Sequence, residues 1–233
     1  MGMLYLIRHG QASFGEISYD KLSDRGTKQA ELLGDYLIQT NTNFEYMVSG
    51  TLERQHHTAA TLMATMGSHI LSSDLRLLTE FNEYDSEGVF REILPSIMAN
   101  DIRASYDGYH MMKDGKAFQR TLDRVLDRWM GMEPGEYEVE SWDTFKKRVL
   151  RAIENLDLSG KKKVAAVTSG GVIAACMHLF LDVPPRRAMA LSWQCLNSSM
   201  TIWLTGKKGL RLYAWNLAPH LELCGNPDMI TYR

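Results

Sequence analysis

The tripeptide Arg8-His9-Gly10 follows the apolar run Leu4-Tyr5-Leu6-Ile7, so an arginine and a histidine stand where a short buried strand must end. Two further polar clusters share that setting. Residues 49–54, ending in Arg54, follow a second apolar run and open a helical pattern; Thr168-Ser169-Gly170-Gly171 follow a third and do the same. In open α/β sheets ligands bind beyond the carboxyl ends of the strands. Two arginines, a histidine and two helix N-termini would then converge. That set suits a dianionic phosphoryl group: guanidinium forks grip two oxygens at once, and helix N-termini add free N–H groups and partial positive charge. An imidazole that is neutral near neutral pH can attack phosphorus. The leaving oxygen then needs a proton from a carboxylic acid, and Glu80-Phe81-Asn82-Glu83-Tyr84-Asp85-Ser86-Glu87 offers candidates. The chemistry predicted is phosphoryl transfer with His9 as nucleophile. Arg8 and Arg54 would clamp the oxygens, with Ser169 and Gly170 as further phosphate contacts.

These residues need a scaffold of alternating strands and helices, and the hydrophobic patterning predicts one. Residues 3–7 read as a buried parallel strand. Ser23 or Asp24 can cap a helix over 25–39, with Ala30, Leu33 and Leu37 at helical spacing. A second strand is expected over 44–48, a helix over 52–66 ending near Gly67, and a short strand over 70–75. Residues 87–140 are rich in Met, Tyr and charge, carry a helical pattern at 117–129, and are broken at Met132-Glu133-Pro134-Gly135. They read as a cap inserted beside the core. An amphipathic helix over 141–156 follows, with Phe145, Val149, Ala152, Ile153 and Leu156 on one stripe. Next come a strand over 163–168, a turn at Ser169-Gly170-Gly171, a helix over 172–180, and a stop at Pro184-Pro185. Residues 198–204 and 210–215 read as a strand pair joined across Gly206-Lys207-Lys208-Gly209. The expected fold is a three-layer α/β/α sandwich with a mainly parallel sheet and an inserted helical cap, residues 1–233 forming a single domain.

Bulk properties narrow the partners. With 26 basic against 28 acidic residues, the net charge of −2 gives no electrostatic case for nucleic acid or an anionic membrane. Lys146-Lys147-Arg148 reads as the polar face of a helix and Lys161-Lys162-Lys163 as a solvated turn. No apolar run reaches the length of a membrane span. Three widely spaced cysteines, Cys176, Cys195 and Cys224, are odd in number and lack metal-type spacing, which predicts a reduced, cytoplasmic setting. No cofactor or metal is implied. The partner expected is a small phosphorylated substrate. The oligomeric state stays open, a homo-oligomer included.

The same residues resemble the histidine phosphatase superfamily, the phosphoglycerate-mutase-like proteins, over most of the chain. Leu6-Ile7-Arg8-His9-Gly10-Gln11-Ala12 is similar to the family signature whose histidine becomes phosphorylated. Leu22-Ser23 with Gly26, Gln29 and Ala30 resembles the helix start that follows it. Residues 49–54 with Thr58-Ala59 resemble its second-arginine motif. Glu140-Ser141 with Arg148, and Asn216 with His220-Leu221, resemble later elements. The resemblance implies that His9 is the phosphoacceptor, that Arg8 and Arg54 hold the phosphoryl oxygens, and that Glu83 is the general acid, with Glu80 the alternative.

One position departs from the family. Where it usually carries a second histidine after the late strand, this chain has Ser169, so the resemblance is to a variant branch. Exchanging a charge-assisted donor for a neutral one should weaken transition-state binding by about 1–3 kcal/mol. His57, three residues after Arg54, is a candidate to fill the gap; His178 reads as a core residue. Ser169 is not itself a nucleophile of the Gly-x-Ser-x-Gly type, because Val167 stands where the first glycine belongs. The leading reading is a phosphatase acting through a phosphohistidine at His9. The alternatives are a mutase of the same fold, disfavoured because the tail after His220 is short for shielding a phosphoenzyme, and a low-turnover phospholigand-binding regulatory protein.

Overall fold

Leu4 and Leu6 pack into one core cluster, Tyr5 and Ile7 into another. The split follows from the two-residue period of an extended chain. It explains why strand β1 (Met3–Arg8) is apolar through its middle, since both faces are covered. The computed structural model describes residues 2–13, 20–72, 74–160, 162–206 and 209–232. After β1 come helix α1 (Asp24–Gln39), strand β2 (Tyr46–Ser49), helix α2 (Glu53–Met66) and strand β3 (Arg76–Leu77). A helical stretch follows: α3 (Ser86–Asn100), α4 (Ile102–His110) and α5 (Gly115–Met130). Then come α6 (Trp142–Glu154), β4 (Lys163–Thr168), α7 (Gly170–Leu181), α8 (Pro185–Ser192), β5 (Met200–Gly206), β6 (Gly209–Leu217) and α9 (Pro219–Leu223).

Among the described residues the strands form a six-stranded sheet in the order β3-β2-β4-β1-β5-β6. The first four run parallel, and β5 is antiparallel to both β1 and β6. Helices α1 and α2 cover one face through Leu33, Leu37, Ala59 and Leu62. Helices α6, α7 and α8 cover the other through Phe145, Val149, Val172 and Ala188. The chain is thus a three-layer α/β/α sandwich with a mainly parallel sheet, as the patterning predicts, and α3 to α5 form the inserted helical cap. Trp129 of α5 ties the cap to the sandwich, its ring 5.5 Å from Trp142 and 4.4 Å from Tyr84. Side-chain oxygens start the helices that the sequence marks: Ser23 accepts from Gly26 N at 3.0 Å and Ser141 from Thr144 N at 3.2 Å, each cap stabilising by about 1 kcal/mol. The start of α1 also lies directly on the loop after β1. A Cβ on Gly10 would fall 2.3 Å from the Gly26 carbonyl oxygen, and one on Gly26 would fall 2.1 Å from that of Gln11.

Several expectations shift. The strand placed at 70–75 lies instead at Arg76–Leu77, and Ile70 makes only an isolated bridge to Phe44. β3 is a two-residue edge strand with both side chains exposed, so it has no apolar pattern to read. β2 begins at Tyr46 rather than Phe44, because Phe44, though buried, makes only the isolated bridge to Ile70. The turn expected at Ser169-Gly170-Gly171 is already helix, with Ser169 as N-cap and both glycines in the first turn of α7. Pro184-Pro185 ends nothing more than a short link, because Pro185 opens α8, where its missing N–H goes unneeded. Lys146 and Lys147 pair with Asp143 on the outer face of α6, whereas Arg148 turns inward. Lys161 and the turn residues Lys207 and Lys208 lie outside the described residues.

Candidate active site

β1 delivers His9 from a pinned backbone. Its N–H donates to Thr168 O at 2.9 Å, and its carbonyl accepts from Ser198 N at 3.2 Å and Asn197 Nδ2 at 3.3 Å. The imidazole is buried. Its Nδ1 lies 2.7 Å from Gly10 O. A carbonyl can only accept, so Nδ1 carries the proton and Nε2 keeps its lone pair. That lone pair accepts from Arg54 Nε at 3.2 Å. Burial holds the His9 pKa well below the ordinary imidazole value, with Arg54 and then Arg8 acting in the same direction and the Gly10 bond opposing them. The ring is therefore neutral at neutral pH, with a basic nitrogen turned toward a guanidinium.

Arg54 stands in the first turn of α2. Its Nη1 meets Asp20 Oδ1 at 2.5 Å, and Asp20 Oδ2 accepts from Glu53 N at 2.7 Å. Asp20 thus orients the arginine and satisfies the helix N-terminus that Leu52, an apolar N-cap, cannot serve. Thr58 Oγ1 accepts from Gly10 N at 3.0 Å and donates to Arg54 O at 2.7 Å, stitching the His9 loop to the arginine's own turn. Arg8 Nη1 donates to the Cys195 carbonyl.

The acidic stretch resolves into unlike halves. Glu83 enters the site: Oε2 accepts from Gly171 N at 2.9 Å and Oε1 from Tyr84 N at 3.2 Å. A Cβ on Gly171 would lie 2.0 Å from Glu83 Oε1, so the bare glycine is what admits the carboxyl group. Burial raises the Glu83 pKa above the ordinary carboxylate value, opposed by the Gly171 N–H, Arg54, the Tyr84 N–H and Arg8. Glu80 sits on a 3₁₀ turn, Thr79–Phe81, with its carboxylate against Thr79 Oγ1 at 3.4 Å. The structure brings Glu83, not Glu80, into the lining with Arg8. The segment before Glu83 is held by its carbonyls. Phe81 O accepts from Thr168 Oγ1 at 2.7 Å, and Arg148 Nη1 donates to Glu80 O at 2.8 Å and Asn82 O at 2.9 Å. Glu140 in turn fixes Arg148 with two bonds of 2.8 Å.

Arg8, Glu83 and Gly170 line a cavity of about 220 Å³. Ser169 lies buried beside it, its Oγ accepting from Gln55 Nε2 at 2.7 Å. Gln55 also donates to Phe81 O at 3.1 Å. Sequence reasoning passed over Gln55 and Asp20. Gln55 had a signal: it shares the inward stripe of α2 with Ala59, Leu62 and Met66, where a polar residue needs a partner. Asp20 had none, lying far from Arg54 in sequence. His57, weighed as a stand-in for the second histidine, points outward and is exposed. His178 bonds to Val183 O at 2.9 Å, at the end of α7. His220 is buried, with Nε2 2.8 Å from Ser198 Oγ. Beyond it, Tyr232 reaches the cavity wall.

Among the described residues no group of three or more His, Cys, Asp or Glu side chains could hold a metal ion, and no helix is long and apolar enough to cross a membrane. The sequence matches the family model described as the histidine phosphatase superfamily (branch 1), over residues 4–133 and 104–218. No curated protein matches the chain. Among solved structures, a mycobacterial glucosyl-3-phosphoglycerate phosphatase in complex with inorganic phosphate is 22% identical, with 94% of this chain and 99% of that one covered and a TM-score of 0.61. Phosphoserine phosphatase from Entamoeba histolytica, in complex with 3-phosphoglyceric acid, is 18% identical, with 95% and 100% covered and a TM-score of 0.63. Bacillus stearothermophilus YhfR is 18% identical, with 94% and 98% covered and a TM-score of 0.62. At these identities the likeness is one of fold.

Proposed function

The chain belongs to the histidine phosphatase superfamily, and from that membership and the site geometry we propose that it hydrolyses a small phosphomonoester through a phosphohistidine at His9. One observation carries the reading: Gly10 O holds the proton on His9 Nδ1, which leaves Nε2 as a buried, neutral lone pair beside Arg54. Arg8 and Arg54 bind the phosphoryl oxygens. His9 Nε2 attacks phosphorus as the ester P–O bond breaks, and Glu83 gives its proton to the departing alkoxide. The Glu83 carboxylate then takes a proton from water, whose oxygen displaces Nε2 from phosphorus. Phosphate leaves, and His9 and Glu83 return to their starting states. A raised pKa suits Glu83 to the acid step, because it keeps the carboxyl protonated further into the working range. Hydrolysis is further supported by the solved relatives named as phosphatases.

In this reading the chain is a branch in which the Gln55–Ser169 pair stands where the family's second histidine would be. That neutral pair also favours a second reading, a phospholigand-binding protein with little turnover. Phosphate release from an aryl phosphate, in wild type and His9→Ala, tests the first: the variant should lose at least about a thousandfold in kcat. Equal activity would sink the assignment of His9. Rapid-quench labelling tests the second. Acid-labile, base-stable phosphate on His9 supports turnover, whereas tight phosphate binding without trapping supports the binding protein.

A further inference from the structure

The cavity over Arg8 and Glu83 has an outer half built from rings. Tyr84, Leu122, Trp193 and Tyr232 wall it. Tyr84 is fixed by stacking on Trp129 at 4.4 Å. Trp193 and Tyr232 keep 38% and 50% of their surface exposed, as uncovered apolar area beside a concave site. Tyr232 is held close to the nucleophile. Asn197, which binds His9 O, also donates its N–H to Thr231 O at 2.9 Å and accepts from Thr231 Oγ1 at 2.8 Å. Gln29 donates to the same Thr231 hydroxyl at 2.8 Å.

The polar members of this half are neutral and already engaged. Gln119 donates to Asp123 at 3.1 Å and Ser192 to Met189 O at 2.6 Å. Among the described residues the only cation lining the cavity is Arg8, which the proposed reaction assigns to the phosphoryl oxygens. A second anionic group on the substrate would be desolvated against aromatic rings, near the Glu83 carboxyl, without a cation to meet it. At about 220 Å³ the space is below the roughly 300–1,000 Å³ of drug-sized sites. It is room for a compact leaving group of about one ring.

We propose that the group leaving phosphorus is an uncharged aromatic or arylalkyl alcohol, its ring seated between Trp193 and Tyr232, and that carboxylate-bearing phosphoesters are poor substrates. This rests on the phosphatase reading above, and it names that site's substrate class. The test compares kcat/KM of the full chain for benzyl phosphate, ethyl phosphate, O-phosphoserine and 3-phosphoglycerate. All four are esters of aliphatic alcohols, so leaving-group acidity does not decide the order. Benzyl phosphate should exceed both carboxylate esters by at least about tenfold. Trp193→Ala and Tyr232→Ala should lose at least about fivefold more on benzyl than on ethyl phosphate, chiefly in KM. Carboxylate esters turned over as well as benzyl phosphate, or variants that lose both neutral esters alike, would overturn the proposal. If wild type hydrolyses none of the four, the phosphatase reading fails, and calorimetry with benzylphosphonate and phosphonoacetate decides the class separately. Tighter binding of benzylphosphonate supports the ring site; the reverse order, or equal affinity, overturns it.

Discussion

Arg148→Ala should damage catalysis through a group that touches no substrate. The guanidinium makes two bonds of 2.8 Å to Glu140 and reaches the carbonyls of Glu80 and Asn82, at 2.8 and 2.9 Å, immediately before Glu83. Truncation strands a carboxylate and two carbonyls. Breaking a fully buried pair costs about 3–5 kcal/mol, but here the side chains keep 16% and 25% exposure. Water reaching the carboxylate reduces the loss to about 2–3 kcal/mol. For a chain of this length that lowers Tm by about 5–10 °C. The catalytic cost is separable. Loosening Asn82 displaces the carboxyl group of the next residue, and an error of about 1 Å in a reacting group costs on the order of a hundredfold. Glu83 also serves the later hydrolysis of the phosphohistidine, which all esters share, so its acid role is read in kcat/KM, which ends at departure of the leaving group. On benzyl phosphate kcat/KM should fall by about 30–100-fold, and on 4-nitrophenyl phosphate, whose phenolate leaves unprotonated, by less than about fivefold. The assay is steady-state phosphate release on both esters below the variant's melting temperature, with Arg148→Lys as a partner that keeps charge without the fork. Equal losses on the two esters would refute the link to Glu83 and leave Arg148 a stabilising residue alone.

Two further outcomes follow from the same site. If Ser169 stands in place of a second histidine, as proposed above, Ser169→His should give no gain by itself because the Gln55 carboxamide lies 2.7 Å from the serine oxygen; combined with Gln55→Ala it should raise kcat/KM by about tenfold over Ser169→His alone, and a gain in the single variant would mean the carboxamide yields. The pH profile of kcat/KM should be bell-shaped, falling on the acid side as His9 gains a proton, at pH below 6.5, and on the alkaline side as Glu83 loses one, at pH above 4.5. Glu83→Gln should abolish the alkaline limb while keeping the acid one, and an unchanged profile would remove Glu83 from the acid role.

What the sequence disclosed follows the range of the forces involved. β1, α1, α2 and α6 are legible because one stripe or both faces of each are buried, so local periodicity records tertiary packing; Ser23 and Ser141 mark their helix starts through bonds made within three residues. β3 left no trace because neither of its side chains is buried. His9 and Arg54 were legible as strand-end and helix-start residues. Asp20, Gln55 and Asn197 were not, because each acts through a partner at least 34 residues away or on another element. The resemblance favoured Glu83 over Glu80 as the acid, but spacing alone did not say which carboxyl group reaches the cavity. It turns on a 3₁₀ turn that rotates the first away and a bare glycine on α7 that receives the second.

The meeting of Gly10 with Gly26 bears on how this sequence can change over evolutionary time. In an ordinary packed pair, a larger residue on one side can be offset by a smaller one on the other, so lineages drift by compensation. Here neither partner has anything left to give up, and a side chain on either would strike main-chain oxygen. No second-site replacement can make room without moving the end of β1 relative to α1. The two positions should therefore stay invariant together, and in a saturation library of functional variants both should be empty of every alternative, even the smallest. The glycine beside His9 would then be conserved by its neighbour's backbone, whatever substrate the cavity receives.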